Sequence, residues 1–191
     1  DFNSNFYKRL AFDEIISNLL ILSENKRKIK KVIKKPKINK DKYSKIIIQN
    51  LPFKLTASQK FVITEISKDQ QSKNRMFRIL QGDVGSGKTI VSLIVCANTI
   101  EANYQCALMA PTEILAKQHY SLTKKVFHNL GINVALLTGK TEYKERKQIL
   151  KNLETGEIDL IIGTHSLFQK KIFFKKLGLI IIDEQHKFGV K

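Results

Sequence analysis

The run Gly82-Asp83-Val84-Gly85-Ser86-Gly87-Lys88-Thr89 fits the pattern G-x-x-x-x-G-K-[ST] without a mismatch. The chemistry this pattern serves is the grip on a polyphosphate. Glycines let backbone N–H groups close around phosphate oxygens, Lys88 reaches the β and γ phosphates, and the Thr89 hydroxyl holds Mg²⁺. A glycine-rich turn closing a strand–helix unit with no ligand would use some of the same residues. A second element supports the phosphate reading: Leu179-Ile180-Ile181-Ile182 is an apolar run that ends in Asp183-Glu184. At the C-terminal end of a parallel strand, Asp183 is placed to bind the metal and Glu184 to activate water for in-line attack on the γ phosphate. Alone, the same residues read as a strand followed by a charged turn.

The elements around these groups can be read from periodicity. Phe77 to Leu80 is an apolar run of strand length before the loop. After it, Ile90, Val91, Leu93, Ile94, Ala97 and Ile100 recur at helical spacing over 88–101. Strand, glycine loop and helix put the phosphates at a helix N-terminus. Ile46 to Gln49 is a short apolar piece, and Leu55 to Ser67 reads as a helix with Phe61, Val62, Ile63 and Ile66 apolar. Strands are expected at Cys106 to Ala110, Val134 to Leu137, Leu160 to Ile162 and Leu177 to Ile182. Helices are expected over 112–130, stopped by Gly131, and over 141–154. Buried strands separated by amphipathic helices predict an α/β fold with a doubly wound, mainly parallel sheet.

A chain of 191 residues that is 42% hydrophobic can bury one sizeable core. The expected organisation is an amphipathic helix within 1–25 (Leu10, Phe12, Ile15, Ile16, Leu19, Leu20 and Leu22 on one face), a lysine-rich linker over 26–45, and a compact domain over 46–191. No apolar run approaches the roughly 18 residues that span a bilayer, and no signal-peptide pattern opens the chain, so a cytoplasmic protein with no membrane partner is expected. Cys96 and Cys106 lack zinc-ligand spacing and read as reduced core residues, with no structural metal expected. The net charge is +17, but 29 of the 34 basic residues are lysine, a bias typical of an AT-rich genome. Residues 26–45 hold eleven Lys/Arg against the single acid Asp41. Such a run is usually a solvated face, and charge alone does not decide whether it meets nucleic acid.

The run Asp183-Glu184-Gln185-His186 is the DExH form of the second element. With it go Leu51-Pro52-Phe53-Lys54-Leu55-Thr56-Ala57-Ser58-Gln59, QGDVGSGKT over 81–89, APTEILA over 110–116 with Gln118-His119, Leu137-Thr138-Gly139, GTHSLFQ over 163–169, and Arg9-Leu10-Ala11-Phe12-Asp13-Glu14. These blocks resemble the first helicase core domain of the RecG-type ATP-dependent DNA helicases of superfamily 2. The resemblance implies a RecA-like P-loop NTPase domain that uses ATP and Mg²⁺ to act on DNA forks and Holliday junctions in recombination and DNA repair, and a monomer. It implies that Gln59 reads adenine and that Phe53 lies against the ring, with Gly82, Asp83, Val84, Gly85, Ser86, Gly87, Lys88 and Thr89 cradling the phosphates. Pro111, Thr112 and Glu113 would open a helix beside the DNA backbone. Thr138, Gly139, Gly163, Thr164 and His165 would hold the tracked strand, and His186 would couple the nucleotide site to the DNA side.

Other readings remain open at this point. Gln59 could be a surface residue at a helix start, and Thr112 could merely begin its helix. His119 and His128 read as structural. Ser166 and Lys187 stand where the family pattern usually has Ala and Arg. The chain stops at Lys191, so a second core domain with its arginine finger and most of a wedge domain are expected to be missing. Because such a finger is worth about 10³ to 10⁵ in rate, the fragment is expected to be nearly inactive alone. The alternatives are a transcription-repair coupling translocase core, which shares several blocks, a nucleotide-binding module without turnover from a split gene, and a P-loop metabolic kinase.

Overall fold

The computed structural model describes residues 5–168 and 172–184. The elements run α1 (Asn5–Lys31), α2 (Lys42–Asn50), α3 (Ala57–Gln71), α4 (Lys88–Glu101), β1 (Gln105–Met109), α5 (Glu113–Val126), β2 (Val134–Leu137), α6 (Tyr143–Thr155), β3 (Leu160–Gly163), a 3₁₀ turn (His165–Phe168) and β4 (Leu177–Ile182). The four strands form one parallel sheet in the order β2-β3-β1-β4.

Side chains alternate across that sheet with the strand period of two. Cys106, Leu108, Leu160, Ile162 and Leu179 share the larger core cluster with α4 and α5, whereas Ala107, Leu137 and Ile161 meet Ile149 and Leu153 of α6. Both faces of the inner strands β1 and β3 are covered, whereas β4 leaves Ile180 and Ile182 exposed; the covered strands read as nearly continuous apolar runs, which made the α/β class legible. A helix that served only as a lid would bury one stripe, but α4 buries Ile90, Val91 and all of Leu93 to Ile100. The sheet lies on one side of it and α2 and α3 pack on another.

That packing overturns part of the expected organisation. The lysine-rich stretch is not a free linker: α1 continues to Lys31, and α2 begins at Lys42 and carries Ile46 to Gln49 as helix. Between them the backbone is tied to the turn after α3, with Lys34 N–H donating to the Lys73 carbonyl (2.8 Å) and Lys37 N–H to that of Gln70 (3.0 Å). Lys34 Nζ donates to the Gln70 and Ser72 carbonyls at the end of α3, where a helix has acceptors to spare. The Glu101 carboxylate at the end of α4 accepts from the N–H groups of Lys40, Lys42 and Tyr43 at the start of α2, and Ile47 is fully buried. The compact unit therefore starts near Ile33, not Ile46. Lysine composition predicts solvation of the ammonium heads, but the stems and backbone are free to pack. Lys37 is itself buried, its ammonium 5.3 Å from the Tyr104 ring centroid, and desolvation pulls its pKa down.

A second correction concerns Phe77 to Leu80, which has no regular secondary structure. Phe77 and Ile79 are exposed while Met76 and Leu80 touch the core. An apolar run has strand propensity, but a strand needs a ladder partner. The outer edge of β4 carries none among the described residues. α1 runs past the expected boundary at residue 25 to Lys31, with Leu10, Phe12, Ile15, Leu19 and Leu20 exposed.

One buried amide locks the sheet to its connections. Gln105 Nε2 donates to the Leu153 and Ile158 carbonyls (2.8 and 2.7 Å) and its Oε1 accepts from Lys176 N–H (3.0 Å). Gln105→Leu leaves the Ile158 carbonyl and the Lys176 N–H without that partner and the Leu153 carbonyl with only the long Lys175 N–H bond (3.4 Å), and a loss of about 3 kcal/mol is expected on the usual cost of buried unsatisfied polar groups. Urea unfolding followed by circular dichroism measures it, and a loss below about 1 kcal/mol would show that water replaces the amide.

Candidate functional site

Because the strands are parallel, the loops after them leave from one edge of the sheet. Ala110-Pro111-Thr112 follows β1, Thr138-Gly139 follows β2, Thr164-His165 follows β3 and Asp183-Glu184 follows β4. In open α/β sheets this edge is where ligands bind.

The phosphate loop leads into α4. Gly85 (φ 82°) and Gly87 (φ 81°) lie in the left-handed region that glycine tolerates. Ser86 N–H donates to the Asp83 carbonyl and Val84 is fully exposed at the tip. Lys88 and Thr89 are the first residues of α4, where backbone N–H groups have no acceptor within the helix. Lys88 Nζ donates to the carbonyls of Gly82 and Asp83, each at 2.7 Å, so its ammonium is held over its own loop.

Asp183 is fixed at both ends. Its N–H donates to the Met109 carbonyl at 2.8 Å, continuing the β1–β4 ladder, and its Oδ2 accepts from His119 Nε2 at 2.8 Å. The His119 hydrogen bond is the largest influence holding the Asp183 carboxyl below its usual pKa. Burial opposes it, while the charge of His119, the Glu184 N–H and the charge of Lys88 add to it. Lys88 and Asp183 are thus within electrostatic reach of one another. Glu184 is exposed, with φ 49°, a left-handed conformation that is uncommon for a non-glycine residue. Gln185 and His186 lie outside the described residues.

Among the described residues no group of three or more His, Cys, Asp or Glu side chains could hold an ion unaided. Thr89 and Asp183 offer one hydroxyl and one carboxylate instead. That donor set suits a cation that keeps several waters and takes its remaining ligands from substrate phosphates, as Mg²⁺ does.

The two residues expected to meet the base do not sit together. Phe53 is half-exposed and lines a cavity of about 440 Å³ with Ile48, Leu51, Pro52, Lys54 and Lys60. Gln59 is not among its walls. The Gln59 amide closes a capping box, its Oε1 accepting from Thr56 N–H (2.9 Å) while Gln59 N–H donates to Thr56 Oγ1 (3.2 Å). Its Nε2 donates to the Ser86 carbonyl at 2.9 Å, so Gln59 ties α3 to the phosphate loop.

The strand-end residues differ in what they present. Thr112 caps α5, its hydroxyl accepting from Leu115 N–H, and Glu113 pairs with Lys140 across the turn after β2. Thr138 is buried and its hydroxyl accepts from Lys140 N–H, which leaves little of it on the surface. A Cβ on Gly139 would stand 3.4 Å from Glu113 Oε1. Gly163 faces the Leu137 carbonyl, and Ser166 Oγ donates to the same oxygen at 2.8 Å. Thr164 is half-buried and His165 exposed.

His119, read from the sequence as structural, is the residue that the structure sets against Asp183. The available signal was its place on the buried stripe of α5, with Ala116 three residues before it and Thr123 four after. That stripe faces the sheet, and β4 supplies the carboxylate.

The chain matches the family model "DEAD/DEAH box helicase" over residues 56–191. It belongs to the DEAD/DEAH box helicase family. Among its relatives, the ATP-dependent DNA helicase RecG of Aquifex aeolicus is 46% identical over 190 residues, 99% of this chain and 24% of that protein. RecG of Thermotoga maritima is 46% identical over 96% of this chain and 24% of its own length. A RecG structure solved bound to a three-way DNA junction superposes with a TM-score of 0.86 at 44% identity, covering 96% of this chain and 25% of that one. A hypothetical ATP-dependent RNA helicase from Sulfolobus tokodaii shares the fold, with a TM-score of 0.58 at 20% identity over 77% of this chain and 42% of that one. The DEAD/DEAH chain therefore spans about a quarter of the length of its RecG relatives, and it resembles RecG across the phosphate loop and the DExH strand.

Proposed function

We propose that this DEAD/DEAH domain is the ATP-binding core of a RecG-type DNA helicase, which couples Mg-ATP hydrolysis to remodelling of forked and junction DNA in recombination and repair in the cytoplasm. The observation that carries the reading is that the phosphate loop leads into α4, and α4 packs on β4, the strand that delivers the Asp183 carboxylate. The identity with RecG proteins supports the choice of substrate.

In this reading the N–H groups at the head of α4 and the Lys88 ammonium take the phosphate oxygens. An incoming phosphate must compete with the Gly82 and Asp83 carbonyls for Lys88. Mg²⁺, when bound, neutralises charge on the phosphates as the terminal bond breaks. Thr89 and Asp183 would hold it, and Glu184 would orient the attacking water. Gln59 would transmit occupancy of the loop to α3 through Ser86, and would read adenine only after releasing one of its two partners. Thr112, Glu113, Gly139, Thr164 and His165 would contact the DNA backbone along the rim.

The test is a titration of the 191-residue polypeptide with a fluorescent ATP analogue, with turnover followed in the presence and absence of three-way junction DNA. Mg²⁺-dependent binding is expected with turnover below about 1 s⁻¹, the low end of common enzyme rates. The polypeptide holds only about a quarter of a RecG length. Absence of binding would overturn the nucleotide site, and fast turnover would show that residues 1–191 complete the catalytic machinery themselves.

A further inference from the structure

We propose that His119 is a positioning residue for the metal-binding carboxylate: it holds one oxygen of Asp183 so that the other is presented to the cation. The inference rests on the nucleotide-site reading above.

The geometry is specific. His119 is buried on the inward stripe of α5 and its Nε2 lies 2.8 Å from Asp183 Oδ2. The Asp183 backbone is already anchored by the Met109 carbonyl, so the imidazole removes the remaining freedom of the side chain about its own bonds. Only one carboxylate oxygen is engaged by the ring. A carboxylate fixed in this way meets a cation without first losing rotamer freedom, and an outer partner of a metal ligand commonly changes metal affinity by about 10- to 100-fold. The groups around the pair suit that role. Lys88 acts on Asp183 through space, and Thr123 Oγ1 donates to the His119 carbonyl (2.6 Å), bracing the helix turn that carries the ring. α5 also begins at the rim, where Thr112 caps it and Glu113 reaches Lys140. The stretch from Thr112 to His119 covers about 10 Å of one helix at about 1.5 Å per residue.

The experiment measures affinity for the fluorescent ATP analogue in excess EDTA and in Mg²⁺, and the electron paramagnetic resonance spectrum of Mn²⁺ added with the analogue. His119→Gln keeps an amide N–H at the reach of Nε2, His119→Leu removes the donor, and His119→Asn keeps polarity but falls short. In His119→Leu and His119→Asn the gain in affinity from Mg²⁺ is expected to shrink by about tenfold or more, with affinity in EDTA unchanged. His119→Gln is expected to restore both the gain and the wild-type Mn²⁺ spectrum. An unchanged Mg²⁺ gain in His119→Asn, or a loss of equal size with and without Mg²⁺, would overturn the proposal and leave His119 a packing residue. If the wild-type protein itself binds the analogue with no Mg²⁺ dependence, the reading of Asp183 as a metal ligand fails first.

Discussion

Lys88→Ala is expected to weaken binding of an ATP analogue by about 100-fold, equivalent to about 2.7 kcal/mol. The lysine sits at the head of α4, and its ammonium is held over the loop by the Gly82 and Asp83 carbonyls at 2.7 Å. A charge-assisted hydrogen bond to phosphate is worth roughly 1.5–3 kcal/mol, and removing the side chain also exposes two carbonyls to the incoming anion. Isothermal titration of wild type and variant measures the difference. Lys88 is only half-buried, so thermal melting of the unliganded variant should stay within a few degrees of wild type. Equal affinities would mean that the nucleotide is held elsewhere and that the loop is a structural turn.

Gly163→Ala is expected to destabilise the domain by about 3 kcal/mol, near the upper end for overpacking a tight site. A Cβ at Gly163 would overlap the Leu137 carbonyl oxygen and stand 3.0 Å from Leu167 Cγ. The carbonyl has little room to retreat, because Leu137 pairs with Gly163 across the β2–β3 ladder and its oxygen also accepts from Ser166 Oγ. A domain of this size has about 5–15 kcal/mol of stability in all, so the variant should melt many degrees below wild type. Differential scanning calorimetry would decide it. A variant that melts with wild type would show that the two strand ends separate freely, and Gly163 would then be retained for access to a ligand rather than for packing.

These two residues illustrate different kinds of legibility. The phosphate loop could be read directly, because its chemistry is local: glycines at fixed offsets and a lysine at a helix start need no distant partner to be recognised. The parallel strands were legible for a similar reason, since a sheet covered on both faces forces apolar runs onto the sequence. Gly163 carried a family motif, yet the close approach of Leu137 that requires a glycine there emerges only when two strands are laid side by side.

The amino-acid sequence by itself determined the α/β class, the glycine loop at the head of α4 and the carboxylate at the end of β4, all of which depend on residue type and on short spacing. Tertiary structure alone decided three things. It packed the lysine-rich stretch onto α3 and α4 through backbone hydrogen bonds that lysine composition does not announce. It left Phe77 to Leu80 without a ladder, because pairing depends on a neighbouring edge and not on propensity. It brought His119 to Asp183 across 64 positions of chain. A hydrogen bond between residues so far apart is set by how a helix lies on a sheet, and no periodicity within either element can state it.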